Sequence, residues 1–151
     1  VEGYERASQL PSAGFAAGPC LLKDTMQISS FYQGGFHLGQ SAMMVNEGLP
    51  NFIVNQLKAK YELHNRKVGI LGMSFKADVD DIRDSLSFRL SKILKFNGAE
   101  VYCSDEFASS SSFISKEELI SKSETIIIGA PHTKYDELEI PSNVDFINIW
   151  K

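Results

Sequence analysis

The sequence predicts an α/β protein, a doubly wound parallel sheet preceded by a helical segment with one long helix. Three observations predict it. Of the 151 residues 43% are hydrophobic and 23% charged, a balance that supports a sizeable core. Beyond the polar joint His64-Asn65-Arg66-Lys67, short apolar runs alternate with helical patterns, as in strand-helix-strand units. Before that joint, apolar residues recur at spacings of three and four, as on helices with one buried stripe. The joint therefore divides the chain into 1–64 and 65–151.

Each element follows from its residues. Asp24 and Thr25 supply an N-cap signal, and Met26, Ile28, Phe31 and Tyr32 continue an apolar pattern until Gly34-Gly35 ends the helix. Gly39 to Leu63 is the long helix, with Met43, Met44, Val45, Leu49, Phe52, Ile53, Leu57 and Tyr61 on its apolar face. Gly48 and Pro50 predict a kink or break inside it. A broad apolar face on so long a helix predicts packing against a second subunit. Lys67 to Phe75 reads as a buried parallel strand and Ser85 to Phe96 as an amphipathic helix closed by Asn97-Gly98. Glu100 to Ser104 is the second strand, and Ser109 to Ser112 an exposed loop. Ser115 caps a short helix through Lys122, with Glu118 in capping-box position, before strands at Thr125 to Gly129 and Phe146 to Trp150. Ligands of such a sheet bind beyond the carboxyl ends of its strands.

Charge and cysteine usage narrow the functions. A net charge of -4 and a pI near 5.4 argue against a nucleic-acid or anionic-membrane surface, while leaving room for a local phosphate site. No apolar run approaches the roughly 18 residues of a membrane span, and the N-terminus lacks a signal-peptide pattern. A cytoplasmic location is expected. Cys20 lies in a glycine-rich loop and Cys103 in a strand, so no disulfide is expected and Cys103 reads as a buried hydrophobe. His37, His64 and His132 show no metal-ligand spacing with either cysteine; no metal is expected, and satisfied surface or core histidines are. The chain opens at Val1 and soon enters a motif-bearing loop, which reads as a piece of a longer protein.

Two motifs carry chemistry. In Gly14-Phe15-Ala16-Ala17-Gly18-Pro19-Cys20-Leu21-Leu22-Lys23-Asp24, small residues let a ligand approach the backbone, and the cysteine stands at a helix N-terminus. Lys23 and Asp24 fall three and four residues on, a cation to stabilise a thiolate or oxyanion and a carboxylate to orient or activate water. The competing interpretation makes Cys20 a small residue packed beneath a glycine turn. In the second motif, Phe75-Lys76-Ala77-Asp78-Val79-Asp80-Asp81-Ile82-Arg83-Asp84-Ser85, one Lys and one Arg stand among four carboxylates at a strand's carboxyl end and before a helix start, where phosphate binds. Its alternative is a solvated charged turn. The preceding Gly69-Ile70-Leu71-Gly72 matches a dinucleotide fingerprint only loosely, lacking its third glycine.

Together GFAAGPCLLKD, the helix containing Val45-Asn46-Glu47, and LGMSFKADVDDIRDS closely resemble the UDP-glucose/GDP-mannose dehydrogenase family over nearly the whole chain. The resemblance implies that 1–64 is the end of a central helical dimerisation domain and 65–151 a C-terminal Rossmann-like domain binding the nucleotide-sugar. The family's NAD-binding domain would lie outside this chain. It implies NAD-dependent oxidation of a nucleotide-sugar C6 alcohol, a UDP-sugar above all, to a carboxylate through a cysteine thiohemiacetal and thioester. Cys20 matches the nucleophile and Asp24 the water-activating aspartate. Gly14, Phe15, Ala16, Ala17 and Gly18, with Leu21, match the sugar-holding loop; Phe75 and Lys76 match substrate contacts; Arg83 matches an arginine reaching NAD. Arg6 resembles an arginine lent to the neighbouring subunit of a homodimer built on the long helix. Three departures stand out. Ala17-Gly18-Pro19-Cys20 replaces the Gly-Gly-Ser-Cys or Gly-Gly-His-Cys of many members; the family's catalytic Lys and Asn have no counterpart here; nor does a late nucleotide-binding arginine. The chain alone is accordingly expected to be inactive. A function of another class stays open at this point: a non-catalytic nucleotide-binding or dimerisation module in which Cys20 is structural.

Overall fold

A computed structural model of the chain describes residues 13–33 and 35–150. Helices α1 (Leu21–Phe31) and α2 (His37–Lys58) come first, followed by β1 (Lys67–Leu71), α3 (Leu86–Phe96), β2 (Glu100–Ser104), α4 (Lys116–Lys122), β3 (Thr125–Ile128) and β4 (Asp145–Asn148). A single turn of 3₁₀ helix, Thr133–Tyr135, lies between β3 and β4. The four strands form one parallel sheet in the order β2-β1-β3-β4, with Val68 opposite both Val101 and Thr125. The expected α/β class and parallel sheet are both present.

Alternation along the strands gives the sheet a core on each face. Val68, Ile70 and Ile127 share one cluster with Leu86, Leu90 and Leu94 of α3 and Ile53, Val54 and Leu57 of α2. Leu71, Ile126 and Ile128 share the other with Leu119 of α4 and Tyr135. Period-two side-chain direction produces this split, and burial on both faces explains why β1 and β3 read as continuous apolar runs. Gly69 faces α4, where a Cβ would come within 2.6 Å of Ser123 Oγ and 2.9 Å of Leu119 Cγ. Its missing side chain lets that helix lie close to the sheet.

Several boundaries differ from the sequence expectation for identifiable reasons. The first helix begins at Leu21 with Cys20 as its N-cap residue, four residues before the expected Asp24-Thr25 cap. Thr25 Oγ1 instead donates back to the Leu21 carbonyl, 2.8 Å away, a bond available to a threonine inside a helix. The long helix spans His37–Lys58 rather than Gly39 to Leu63 and runs unbroken through Gly48 and the buried Pro50. Both sides of that proline are held by packing. Asn46 is tied to the small-residue loop, Ile53, Val54 and Leu57 are in the core, and Arg89 Nη1 donates to the Glu47 carbonyl at 3.1 Å. β1 stops at Leu71, four residues short of Phe75, because Gly72 turns the backbone at φ +89°, where a Cβ would stand 2.5 Å from the Ala130 nitrogen. β4 begins one residue before Phe146 and ends at Asn148, two residues before Trp150.

Capping is partly as predicted. Ser85 accepts from the Ser87 amide and Ser115 from the Glu118 amide at 3.2 Å. The reciprocal arm of the expected capping box is replaced, since the Glu118 carboxylate takes Lys122 Nζ at 2.6 Å. Cys103 is buried, as expected, and that burial pushes its thiol pKa up.

Leu90 is fully buried between α2 and the sheet. Leu90→Ala should cost about 3 kcal/mol. Urea unfolding followed by circular dichroism checks this, with the loss seen in the midpoint rather than the slope.

Candidate functional site

Three turns converge at the carboxyl ends of β1, β2 and β3, and one carboxylate joins them. Asp105, one residue past β2, has a fully buried side chain. Its Oδ2 accepts from the amides of Met73 at 2.6 Å and Ser74 at 2.9 Å, past the end of β1, and from His132 Nε2 at 3.1 Å, past β3. Its Oδ1 accepts from the Phe107 and Ala108 amides, both at 2.8 Å. Burial by itself would raise the Asp105 pKa. Hydrogen bonds from His132 and from the Ala108, Phe107 and Ser74 amides outweigh it and hold the carboxyl well below the usual carboxylate range.

His132 completes the clasp. Its side chain is fully buried, and Nδ1 accepts the Asp78 amide at 2.8 Å. An amide only donates, so the imidazole proton sits on Nε2, directed at Asp105. Ser74 Oγ also lies 3.3 Å from Nε2 while donating to the Lys76 carbonyl at 2.8 Å. Serine and aspartate therefore share one ring nitrogen, whereas a nucleophile triad needs them on opposite nitrogens. This set orders turns rather than activating Ser74.

The small-residue loop meets the Phe75-Lys76 turn directly. Phe15, Ala16, Ala17 and Leu21 line one cavity of about 280 Å³ together with Phe75 and Lys76. Gly18, at φ +127°, abuts the Phe75 ring, so that a Cβ there would stand 3.1 Å from Phe75 Cδ2. Gly14, at φ +130°, packs on the Trp150 indole with no room for a Cβ. Asn46 holds the loop from α2: its Oδ1 takes the Ala16 amide at 2.9 Å and its Nδ2 reaches the Ala16 carbonyl at 2.6 Å.

Cys20 is exposed at the first turn of α1, which does not match a residue packed beneath a glycine turn. Asp24 lies one helical turn on, its amide bonded to the Cys20 carbonyl at 2.8 Å, and its carboxylate pairs with Lys23 Nζ at 3.2 Å in solvent. Lys23 also lines a second cavity, of about 500 Å³, that shares Ala16 and Ala17 with the first and reaches Asp84 before α3. Arg83 is exposed, with Nε 3.0 Å and Nη2 2.6 Å from the Asp81 carboxylate. Hydrogen bonds to Asp81 raise the Arg83 pKa most, and the Cys20 and Asp84 side chains add smaller contributions. Arg6 lies outside the described residues. Among the described residues no three His, Cys, Asp or Glu side chains group to hold a metal, and no helix is long and apolar enough to cross a membrane.

Sequence reasoning assigned no role to Asn46, Asp105 or His132. Asp105 had a usable signal, since carboxylates immediately beyond a strand's carboxyl end lie where doubly wound sheets build sites. His132 was expected to be merely satisfied; its partners make it a link between turns.

A parallel sheet with helices on both faces and two loops meeting beyond its strand ends defines a doubly wound α/β domain. A sequence model described as the UDP-glucose/GDP-mannose dehydrogenase family, UDP binding domain, matches residues 69–151, and the chain belongs to that family. It is 35% identical over 94 residues to UDP-glucose 6-dehydrogenase AglM of Haloferax volcanii, covering 60% of this chain and 22% of the relative. It is 31% identical over 104 residues to the UDP-N-acetyl-D-mannosamine dehydrogenase of Methanocaldococcus jannaschii, covering 66% and 24%. Among solved structures, a UDP-glucose dehydrogenase from Pyrobaculum islandicum superposes with TM-score 0.81 and 25% identity over 93% of this chain and 35% of that one. A GDP-mannose dehydrogenase from Pseudomonas aeruginosa has the same fold, with TM-score 0.77 and 23% identity over 95% of this chain and 38% of that one. The chain thus spans about a quarter of the length of these curated relatives.

The depressed Asp105 pKa makes stability depend on acid. An unfolded aspartate titrates near about 3.9, so the stabilisation is complete above that value and is lost as pH falls through it toward the lower folded pKa. Asp105→Asn should lower stability at pH 7 by about 2 kcal/mol or more, because an amide turns its NH₂ toward donors. It should also flatten the fall in stability below pH 4, as read from urea midpoints at several pH values.

Proposed function

We propose that this chain is the C-terminal part of an NAD-dependent nucleotide-sugar 6-dehydrogenase acting on a UDP-sugar, and that Cys20 is its nucleophile. The observation that carries this proposal is the shared cavity: the backbone loop leading to Cys20 and the Phe75-Lys76 turn face one space. The matching relatives are named as dehydrogenases of UDP-glucose and UDP-N-acetyl-D-mannosamine, which supports a UDP-sugar.

Each side chain then has a definite task. The backbone of 14–18 and Leu21 hold the sugar, while Phe75 and Lys76 meet the sugar or diphosphate. The Cys20 thiolate adds to the C6 aldehyde carbonyl to give a thiohemiacetal, whose oxidised form, the thioester, is open to water. Lys23 supplies positive charge for the thiolate and the oxyanion, and Asp24 takes a proton from the attacking water. Hydrolysis cleaves the C–S bond and returns the thiolate.

Only part of an NAD site fits these residues. Gly72 is followed by the long 73–85 turn rather than a tight glycine-rich phosphate turn, and Arg83 is an exposed cation on that turn suited to a dinucleotide phosphate. Arg83 would contact NAD held mainly by a domain outside this chain, and two NAD molecules bound in succession would each accept one hydride of the four-electron oxidation. Residues 65–151 would then be the nucleotide-sugar domain and 1–64 the end of the central one, with Arg6 contributing across a homodimer. Leu38, Val45 and Phe52, exposed and spaced seven apart on α2, support that self-association.

In the intact protein, Cys20→Ala should lower kcat by about a thousandfold or more, measured as NADH formation with a panel of UDP- and GDP-sugars. A UDP-sugar should protect Cys20 from alkylation, and unchanged activity after modification of Cys20 would sink the nucleophile. Chain 1–151 alone should reduce no NAD. Val45→Arg should shift the intact protein from dimer to monomer in sedimentation velocity.

A further inference from the structure

We infer that His132 is a positioning residue of the nucleotide-sugar site: its unprotonated Nδ1 accepts the Asp78 amide and thereby holds Phe75 and Lys76 at the cavity they line. The inference rests on the proposal that this turn meets the substrate.

The turn is anchored at both ends, by different strands. Upstream, the Ser74 amide is bound by Asp105, Ser85 Oγ donates to the Ser74 carbonyl at 3.1 Å, and the Phe75 amide reaches the Asp81 carbonyl at 3.0 Å. Downstream the anchors are His132 Nδ1 on the Asp78 amide and the Thr133 amide and hydroxyl on Asp78 Oδ1, at 2.9 and 3.1 Å. Asp78 sits at φ +56°, a conformation costly for a non-glycine residue unless its surroundings impose it. These three bonds impose it. Lys76 itself is exposed, so the reach of its ammonium depends on the backbone between the anchors.

The imidazole is locked in turn. Asp105 accepts at Nε2, and the ring lies between Phe107 and Tyr135, with centroids 4.9 and 5.2 Å away. Neither Asp105 nor His132 has an exposed side chain with which to touch a ligand. Their effect on substrate passes through Asp78 and the turn. Such a relay should appear in substrate affinity and leave the chemical step alone.

Two amide replacements separate the acceptor from the donor. In His132→Asn an amide oxygen can occupy the place of Nδ1, whereas in His132→Gln an NH₂ can still reach Asp105 but no acceptor faces Asp78. In the intact protein with a UDP-sugar substrate, His132→Gln should raise KM about tenfold or more with kcat within about threefold, and His132→Asn should keep KM within about threefold. Lys76→Ala serves as the control and should raise KM. Equal KM changes in both histidine variants, or a normal KM in His132→Gln while Lys76→Ala is impaired, would overturn the inference and leave the proposed function standing. A normal KM in Lys76→Ala would overturn both. A measurement free of variants guards against misfolding: ¹⁵N spectra of the unmutated protein should show His132 as the Nε2–H tautomer at neutral pH, and an Nδ1–H form would refute the relay.

Discussion

The carboxyl edge of this sheet depends on one buried carboxylate. Asp105 gathers four backbone amides and one imidazole, linking the ends of three parallel strands just past their last backbone bonds, from the Gly72 amide to the Ser104 carbonyl and from the Gly129 amide to the Leu71 carbonyl. An ionised carboxylate accepts on both oxygens, so that two donors meet Oδ1 and three share Oδ2, whereas a neutral amide has a single accepting oxygen. Burial without those donors would be prohibitive; with them, the negative charge becomes the fixed point around which the turns are built.

What the clasp organises is a backbone arrangement. Phe75 and Lys76 extend from a turn anchored by Ser74 and Asp78, and the small-residue loop reaches the same place from the other direction, held by Asn46 of α2. Gly14 permits that approach because Trp150 occupies the space where its Cβ would stand, and Gly18 because its positive φ suits glycine and a Cβ would crowd the Phe75 ring. The exposed Cys20 is therefore presented by a segment whose position two helices and a sheet determine. The packing of Ile53, Val54 and Leu57 with Leu90 and Leu94 extends the same control into the core, since it fixes α2, and with it Asn46, against the sheet.

Much of this was legible in the sequence. β2 and α4 lie where their alternation and serine cap place them, and the continuous apolar runs of β1 and β3 announced strands buried on both faces. The misplacements were local. α1 starts at Leu21 instead of after an Asp24-Thr25 cap because three- and four-residue periodicity cannot say which turn comes first, and α2 survives Pro50 because packing on either side outweighs one missing bond. The site was legible in its loops and not in its supports. Asn46, Asp105 and His132 act over separations of 27 to 54 residues or so, and no local pattern in one sequence reports such partners.

The dependence on Asp105 is tested most directly by residue-resolved amide hydrogen exchange in the unmutated protein and in Asp105→Asn. The account predicts that the amides of Met73, Ser74, Asp78, Phe107 and Ala108 lose protection together, while Ile70 and Ile127 in the middle of the sheet keep theirs. Retained protection at Ser74 and Asp78 in the variant would contradict it.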